Sequence, residues 1–294
     1  MVLESLIGPK KAEHHPLKLF FLGMLFASIG TFLALWIFKN QASLVLVFLT
    51  VMASIPLIHK FNKHEEKIDL KINKEIKIIK HHSMALLALM LLFAGFVFAF
   101  MLWYIFLPEK LVQSTFNAQI ETIRSINSKV TGEFFGAISI IDSSATGGTI
   151  LAQIISNNLK VMLFSIFFSF FYGAGAIFIL TWNASVIATA MGSVFRSKIA
   201  EVATSTGLSR ASDYFAIFGL SILKYFIHGV PEILAYFVAG LAGGLISVAV
   251  VRHNFGTKEF KKVITDAVYL IIISIALVFL AGILEVYVSP LLGY

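Results

Sequence analysis

The chain has no cysteine and few charged residues. Charged side chains make up 13% of its 294 residues, about half of the share in an average water-soluble domain. Without cysteine, the chain has neither a disulfide framework nor a thiolate metal site. It also lacks a phosphate-binding P-loop, a paired-histidine zinc motif and a nucleophilic serine elbow. We therefore expect no enzymatic activity, no catalytic residue, no bound metal and no cofactor.

Apolar residues take the place of the missing charges. They make up 58% of the chain, phenylalanine alone occurs 29 times, and the mean hydropathy is +0.89. This composition is typical of a polytopic membrane protein whose main partner is the lipid bilayer. The net charge of +7 then reports membrane topology rather than nucleic-acid binding.

Long apolar runs predict an all-α bundle with six full membrane spans. Each run is near the ~17–25 residues that a spanning helix needs, and the ranges are 17–38, 42–58, 84–107, 159–181, 231–251 and 263–288. Two shorter apolar pieces lie between the fourth and fifth spans. We expect 184–195 to be a short or re-entrant half-helix. The piece 214–229 is barely long enough to cross, and counting it gives seven spans.

Basic residues favour seven crossings over six. Segment 59–82 has seven lysines, and the first 18 residues, 196–213 and 252–262 are also basic. If 214–229 crosses, all four segments fall on one side, which the positive-inside rule assigns to the cytoplasm. The sequence therefore predicts a multi-pass protein of the cell membrane, with a cytoplasmic N-terminus and an external C-terminus.

The chain divides into two regions. Residues 1–107 form three spans with few polar groups, whereas 108–294 has nearly all the polar and glycine-rich features. Within the first region, isoleucines at helical spacing among the lysines of 59–82 predict a cytoplasmic helical arm. This arm would lie near lipid headgroups or against a partner protein. The external segment 108–158 is weakly amphipathic at its start, which predicts a helix on the outer surface or capping the bundle.

Three ionisable residues interrupt the apolar stretch KYFIHGVPEILAYFVAG: Lys224, His228 and Glu232. Their spacing of four and four would place them on one face of a continuous helix. However, Gly229 and Pro231 favour a break just after the glycine, with a new helix starting at the proline. We expect the three residues near the bend of a helical hairpin. There they either pair and lock the hairpin, or line a polar cavity.

Asparagines and glycines are the other unusual residues of the second region. Asn157 and Asn158 come just before the fourth predicted span, and Asn183 comes just before the predicted half-helix, so each could cap a helix. Glycines within the spans allow helices to pack closely. They are Gly173, Gly175, Gly240, Gly243 and Gly244.

The order of these features resembles the stage II sporulation protein M family over about residues 110–290. That family has an Asn-Asn element, glycine-rich spans, an Asn-Gly element and a His-Gly-x-x-Glu element, in this order. The matching residues here are Asn157-Asn158, Gly173 and Gly175, Asn183 and His228-Gly229-Val230-Pro231-Glu232. The chain departs from the pattern at one point, since Asn183 is followed by alanine.

The resemblance implies an integral membrane protein without catalytic activity of its own. It implies a scaffold or assembly subunit that recruits or anchors partner proteins, and the lysine arm and the outer helix would be its contact surfaces. The alternative is a transporter, channel or lipid-moving protein with a polar intramembrane site at Lys224, His228 and Glu232. Either protein could be a homo-oligomer, because glycine-rich faces also pack between copies.

Overall fold

A computed structural model of the chain describes residues 16–69, 78–125, 145–172, 175–205, 211–252 and 255–289. These residues are almost entirely helical and include no strand, so the prediction of an all-α bundle is confirmed. The helices are α1 (Leu17–Ile37), α2 (Ala42–Asp69), α3 (Ile78–Phe106), α4 (Glu109–Thr115), α5 (Ala145–Tyr172), α6 (Ala176–Ser205), α7 (Ala211–Arg252) and α8 (Lys258–Ile283). Residues 117–125 are also helical, and a π-helical segment, Leu284–Val288, follows α8.

Seven of the described helices are long and apolar enough to cross a membrane. Their candidate spans are Leu17–Ile37, Ala42–Phe61, Leu86–Phe106, Gly148–Phe171, Ala176–Ser197, Phe226–Val251 and Lys258–Val288. The number agrees with the larger of the two predicted counts. The predicted and the candidate spans have closely similar bounds for the first three helices. Between residues 145 and 252 their bounds differ.

The fourth predicted span, 159–181, does not hold, because the chain turns within it. Helix α5 ends at Tyr172, Gly175 lies in a turn, and α6 begins at Ala176. Gly175 is therefore a turn residue rather than a packing residue inside a span, and Gly173 lies outside the described residues. Glycine suits such a turn because it has no Cβ.

The short or re-entrant half-helix predicted over 184–195 is replaced by a full-length helix. Helix α6 has 30 residues, more than a spanning helix needs. Asn183 lies in its interior rather than at its start. A hydrogen-bonding side chain is tolerated inside a membrane bundle when a neighbouring helix covers it, and Asn183 is half-buried.

Helix α7 is continuous through Pro231 for 42 residues, so the predicted break after Gly229 is absent. The piece 214–229 is not a separate crossing, and the hairpin is replaced by one helix about 63 Å long at the usual rise. Proline removes one backbone donor, but packed neighbours and polar side chains can satisfy the freed carbonyl group inside a bundle. The hydrocarbon core is only ~30 Å thick, so α7 extends well beyond it.

The continuous α7 leaves the end of α6, with Arg196, at the other end of the bundle. Arg196 donates to the carbonyl oxygens of Tyr104 and Leu107 at 3.1 and 3.2 Å and pairs with Glu109 at 3.0 Å. Arg196 therefore lies where α3 leaves the bundle, at the end that was predicted to be external. The expectation that all four basic segments share one side does not hold. The orientation now depends on the lysines of 59–82 and the basic residues of 252–262.

Replacing Arg196 with alanine is expected to lower the free energy of unfolding by about 1–2 kcal/mol. The two hydrogen bonds to carbonyl groups account for most of this loss. The pair with Glu109, which is 66% exposed, contributes little. Denaturation in detergent micelles would measure the change. Arg124→Ala is the matched control: its pair with Glu121 is exposed on both sides, so we expect almost no change. An equal loss in both variants would contradict the structure.

Glycines set the closest contacts between helices. A Cβ added to Gly243 would lie 2.5 Å from the carbonyl oxygen of Ile166, and one added to Gly240 would lie 2.8 Å from the Cβ of Ala176. Helix α7 therefore meets α5 and the start of α6 almost backbone to backbone, as small residues allow in membranes. Gly244 is buried beside them.

Candidate functional site

The polar groups of the His228–Glu232 stretch lie against the C-terminal end of α8. Nδ1 of His228 is 2.9 Å from Oγ of Ser289, which directly follows the π-helical segment. One turn along α7, the hydroxyl group of Tyr236 donates to Oε1 of Glu232 at 2.8 Å. Glu285, within the π-helical segment, is close enough to act electrostatically on Glu232. We call these five residues the α7–α8 cluster.

The local sequence explains why these side chains meet. His228, Glu232 and Tyr236 are spaced by four, so on the continuous helix α7 they share one face. That face turns towards α8, where Ser274 donates to the carbonyl oxygen of Ala235 at 2.8 Å. Lys224 would continue the series by one turn, but its side chain lies outside the described residues. Of the three predicted ionisable residues, His228 and Glu232 are thus brought to one site.

Four of the five residues of the α7–α8 cluster are hydrogen-bonded in two pairs, and Glu285 makes no hydrogen bond to a described residue. His228 and Glu232 each have a hydrogen-bond partner, and Tyr236 is fully buried. An unpaired polar group buried between helices would be costly. The His228–Ser289 bond stabilises the contact between α7 and the end of α8, whereas the Glu232–Tyr236 bond lies within α7. π-Helical turns are frequent at functional sites, which makes Leu284–Val288 a place where this contact could be adjusted.

Asn157 and Asn158 lie inside α5, which begins twelve residues earlier at Ala145. Neither caps the helix as predicted. Asn157 is exposed, whereas Asn158 is only 5% exposed, and its Nδ2 has no hydrogen-bond partner among the described residues. A buried amide without a partner is unfavourable.

The exposed face of α5 was missed by the sequence interpretation. It includes Gln153, Ser156, Asn157 and Lys160 and borders an open groove of about 580 Å³ between α5 and Phe279 of α8. The predicted span 159–181 placed Lys160 at the membrane surface, where a lysine is unremarkable. The candidate span of the structure, Gly148–Phe171, has it near the middle.

Gln119 was also missed. Its Nε2 donates to the carbonyl oxygen of Ser43 at 2.9 Å and to Oγ of Ser185 at 3.1 Å. It thereby ties the helical run 117–125 to the start of α2 and to α6. The sequence predicted a helix on the outer surface or capping the bundle, but no local pattern identifies Gln119 as the residue that anchors it.

Comparison with known protein families adds an independent finding. Residues 83–290 match the family model described as Stage II sporulation protein M, which is more than two thirds of the chain. The chain belongs to the stage II sporulation protein M family. The match extends the suspected resemblance to include α3. Comparison with curated proteins and with solved structures gave no match.

Two residues of this stage II sporulation protein M family member, Asn158 and Gly229, make no packing contact that explains their residue types. Asn158 is buried with an unpartnered amide. A Cβ on Gly229 would meet no described atom within 4 Å, although glycine weakens a helix interior. Residues that break a local rule without a compensating contact are candidates for function.

Replacing Asn158 with leucine is therefore expected to raise the free energy of unfolding by about 1 kcal/mol, because it removes an unsatisfied buried amide. Thermal unfolding of the detergent-solubilised protein would measure the change. Asn157→Leu is the matched control and should leave stability nearly unchanged, since Asn157 is exposed. A loss of stability in Asn158→Leu would instead mean that the amide is hydrogen-bonded in the folded protein.

Proposed function

We propose that this stage II sporulation protein M family member is a non-enzymatic scaffold that anchors partner proteins in the cell membrane. The observation that carries the proposal is the closed α7–α8 cluster. His228 is paired with Ser289, and Glu232 with Tyr236. A scaffold needs its ionisable groups to fix one arrangement of helices, whereas a transporter needs them to face a pathway.

The packing of α7 supports the same proposal. Glycines on α7 meet the backbone of α5 and the start of α6, and His228, in the middle of α7, bonds to Ser289 at the end of α8. Close-packed helices resist continuous deformation. This half of the bundle is therefore suited to present fixed surfaces to other proteins.

Helices that are longer than the membrane is thick supply such surfaces. Helix α2 has 28 residues, about 42 Å at the helical rise, and its lysine-rich end forms part of the predicted cytoplasmic arm. Helix α7 has 42 residues, about 63 Å at the helical rise, so it also extends well beyond the ~30 Å hydrocarbon core. We propose both projections as contact surfaces for partner proteins outside the hydrocarbon core.

Co-purification from native membranes in a mild detergent tests the proposal. Wild type is compared with the double variant His228→Ala/Glu232→Ala and with Arg124→Ala, whose exposed ion pair makes it a control for mutation itself. We expect specific co-purifying proteins with wild type and with the control, and their loss in the double variant. A folded wild-type protein that purifies alone would contradict a scaffold.

The groove on α5 favours a second candidate function, transport of a solute, an ion or a lipid. It is open and includes a lysine within a candidate span. Flux across liposomes with purified wild type and Lys160→Leu distinguishes the two functions. We expect no flux with either protein. Flux that depends on Lys160 would replace the scaffold proposal with a transporter.

A further inference from the structure

We propose that the outward face of α5 is the docking site for a membrane helix of another protein, and that Lys160 pairs with a carboxylate on that helix. The proposal rests on the scaffold function and adds to it the surface and the chemistry of the partner. Three features of this face support the proposal. They are the position of Lys160 within α5, the polarity of the residues around Lys160 and the shape of the groove.

Lys160 lies close to the middle of the candidate span of α5. It is twelve residues after Gly148 and eleven before Phe171, the ends of the candidate span, which is about 18 and 16 Å along the helix. The hydrocarbon core is ~30 Å thick, so a lysine side chain is too short to reach either surface. Lys160 is exposed, and no described residue forms an ion pair or hydrogen bond with it. A charged group at this depth requires a partner.

The residues around Lys160 also require partners. Gln153, Ser156 and Asn157 are exposed on the same half of α5. Acyl chains offer no hydrogen bonds, whereas serine, asparagine and glutamine side chains bond between helices in membranes. Beyond Lys160 the exposed residues become apolar, beginning with Leu163 and Phe164. The polar surface thus covers about two turns of helix, as a helix contact would.

The groove has room for a helix beside this surface. It has a volume of about 580 Å³ and extends along α5 from Gly148 to Leu163, with Phe279 of α8 on its far side. A Cβ at Gly148 would meet nothing within 4 Å, so the groove is open there. The shape permits several occupants, and the charge of Lys160 selects among them.

A second copy of this chain fits poorly. Contact of α5 with itself across a two-fold axis would place one Lys160 near the other. The acids that lie deeper than the first turn of the described spans are Glu232, Asp266 and Glu285, and none of them is exposed. The described spans of a second copy therefore offer no carboxylate to Lys160.

A lipid phosphate also fits poorly, because it lies at the membrane surface, about 15 Å from the mid-plane. It would have to enter the hydrocarbon to reach Lys160. A carboxylate in the middle of a partner helix is already at the correct depth, and each charge relieves the cost of burying the other. We therefore assign the groove to a helix with an aspartate or glutamate near its centre.

Fluorescence transfer in phosphatidylcholine vesicles tests this assignment. Because the chain has no cysteine, Phe167→Cys, which is exposed on α5 one turn beyond the groove, accepts a single donor dye and leaves the polar face unchanged. The probe is a synthetic Leu/Ala transmembrane peptide with one central aspartate and an acceptor dye. Comparison peptides have leucine or asparagine at that position. A donor at Phe48→Cys, exposed on α2, reports contact with a different face.

We expect the aspartate peptide to bind at least about tenfold more tightly than the leucine peptide at the α5 label and not at the α2 label. Lys160→Leu should remove the preference. Lys160→Asp should bind a peptide with a central lysine instead. A preference that survives Lys160→Leu, or equal binding of the three peptides, overturns the proposal.

The other occupants give distinct outcomes. Transfer between labelled copies without peptide would assign the face to a second copy. Displacement of the peptide by added phosphatidylglycerol would assign it to lipid. Either result overturns the proposal.

Photo-crosslinking in native membranes separates failure of this site from failure of the scaffold function. The crosslinker is placed at Asn157 on α5, and at Trp36 and Phe106, which are exposed on other helices. Crosslinks to proteins only at the other helices would keep the scaffold function and reject the α5 site. Crosslinks at none of the three positions would reject both. At Asn157, only a captured protein whose membrane helix has a central acid, and whose capture needs Lys160, supports the proposal.

Discussion

Replacing Gly243 with valine is expected to lower the free energy of unfolding by about 3 kcal/mol or more, at the upper end of the range for overpacked cores. A Cβ at this position would lie 2.5 Å from the carbonyl oxygen of Ile166 and 3.0 Å from its Cα. These are backbone atoms, which cannot rotate away as a flexible side chain can. Helices α5 and α7 would have to separate, and the contacts around them would loosen. Thermal or denaturant-induced unfolding in detergent would measure the loss.

Gly229→Ala is the matched control for Gly243→Val. Both glycines lie inside α7, but a Cβ at Gly229 meets no described atom within 4 Å. Alanine there should raise the free energy of unfolding by roughly 0.5–1 kcal/mol, because glycine weakens a helix interior. If both variants lose stability equally, close packing is not the reason for glycine at position 243. If Gly229→Ala is more stable but loses partner proteins, Gly229 serves function rather than folding.

The first three spans were predictable because their sequences are uniformly apolar. For them hydrophobicity and length decide the structure, and the predicted ranges 17–38 and 84–107 differ from the candidate spans by at most two residues at each end. In these stretches no polar residue or glycine suggested a different structure, such as a helix end or a turn. The all-α bundle follows from the same reasoning, because a membrane interior requires internally satisfied backbone groups.

The second region was harder to predict because its residues have roles that neighbouring helices decide. Gly175 turns the chain, whereas Gly243 packs against another backbone, and the sequence around each looks alike. Asn183 and Pro231 have strong local preferences for helix starts. In the bundle both lie inside long helices, since tertiary contacts outweigh local propensity.

Only the part of the candidate site that depends on local spacing could be predicted from the sequence. The spacing of His228 and Glu232 placed them on one face, and Tyr236 continues that spacing by one turn, so their proximity is local. Ser289 is 61 residues from His228, and no periodicity links the two. Lys160 was missed because its importance depends on where the span begins. The predicted boundary, 159, lies eleven residues after the start of the candidate span, and this difference moved Lys160 from the middle of the span to its end.

Replacing Glu232 with alanine is expected to lower the free energy of unfolding by about 1–3 kcal/mol, because it leaves the hydroxyl group of Tyr236 buried without its acceptor. Tyr236 is fully buried and donates to Oε1 of Glu232 at 2.8 Å. Water does not reach that hydroxyl group to replace the lost bond. Unfolding in detergent, followed by tryptophan fluorescence, would measure the loss. Glu232→Gln, which keeps an acceptor oxygen in place, should lose much less.

A double-mutant cycle shows whether the two residues act as a pair. If they do, Glu232→Ala combined with Tyr236→Phe should cost less than the sum of the single variants, because the second change removes the hydroxyl group that the first leaves unsatisfied. Simple additivity would mean that the bond contributes nothing to stability. The cycle also bears on function, since a scaffold requires the pair to be closed at rest. A Glu232→Gln variant that remains stable and retains its partner proteins would mean that Glu232 acts by accepting the bond from Tyr236, with no need for a charge.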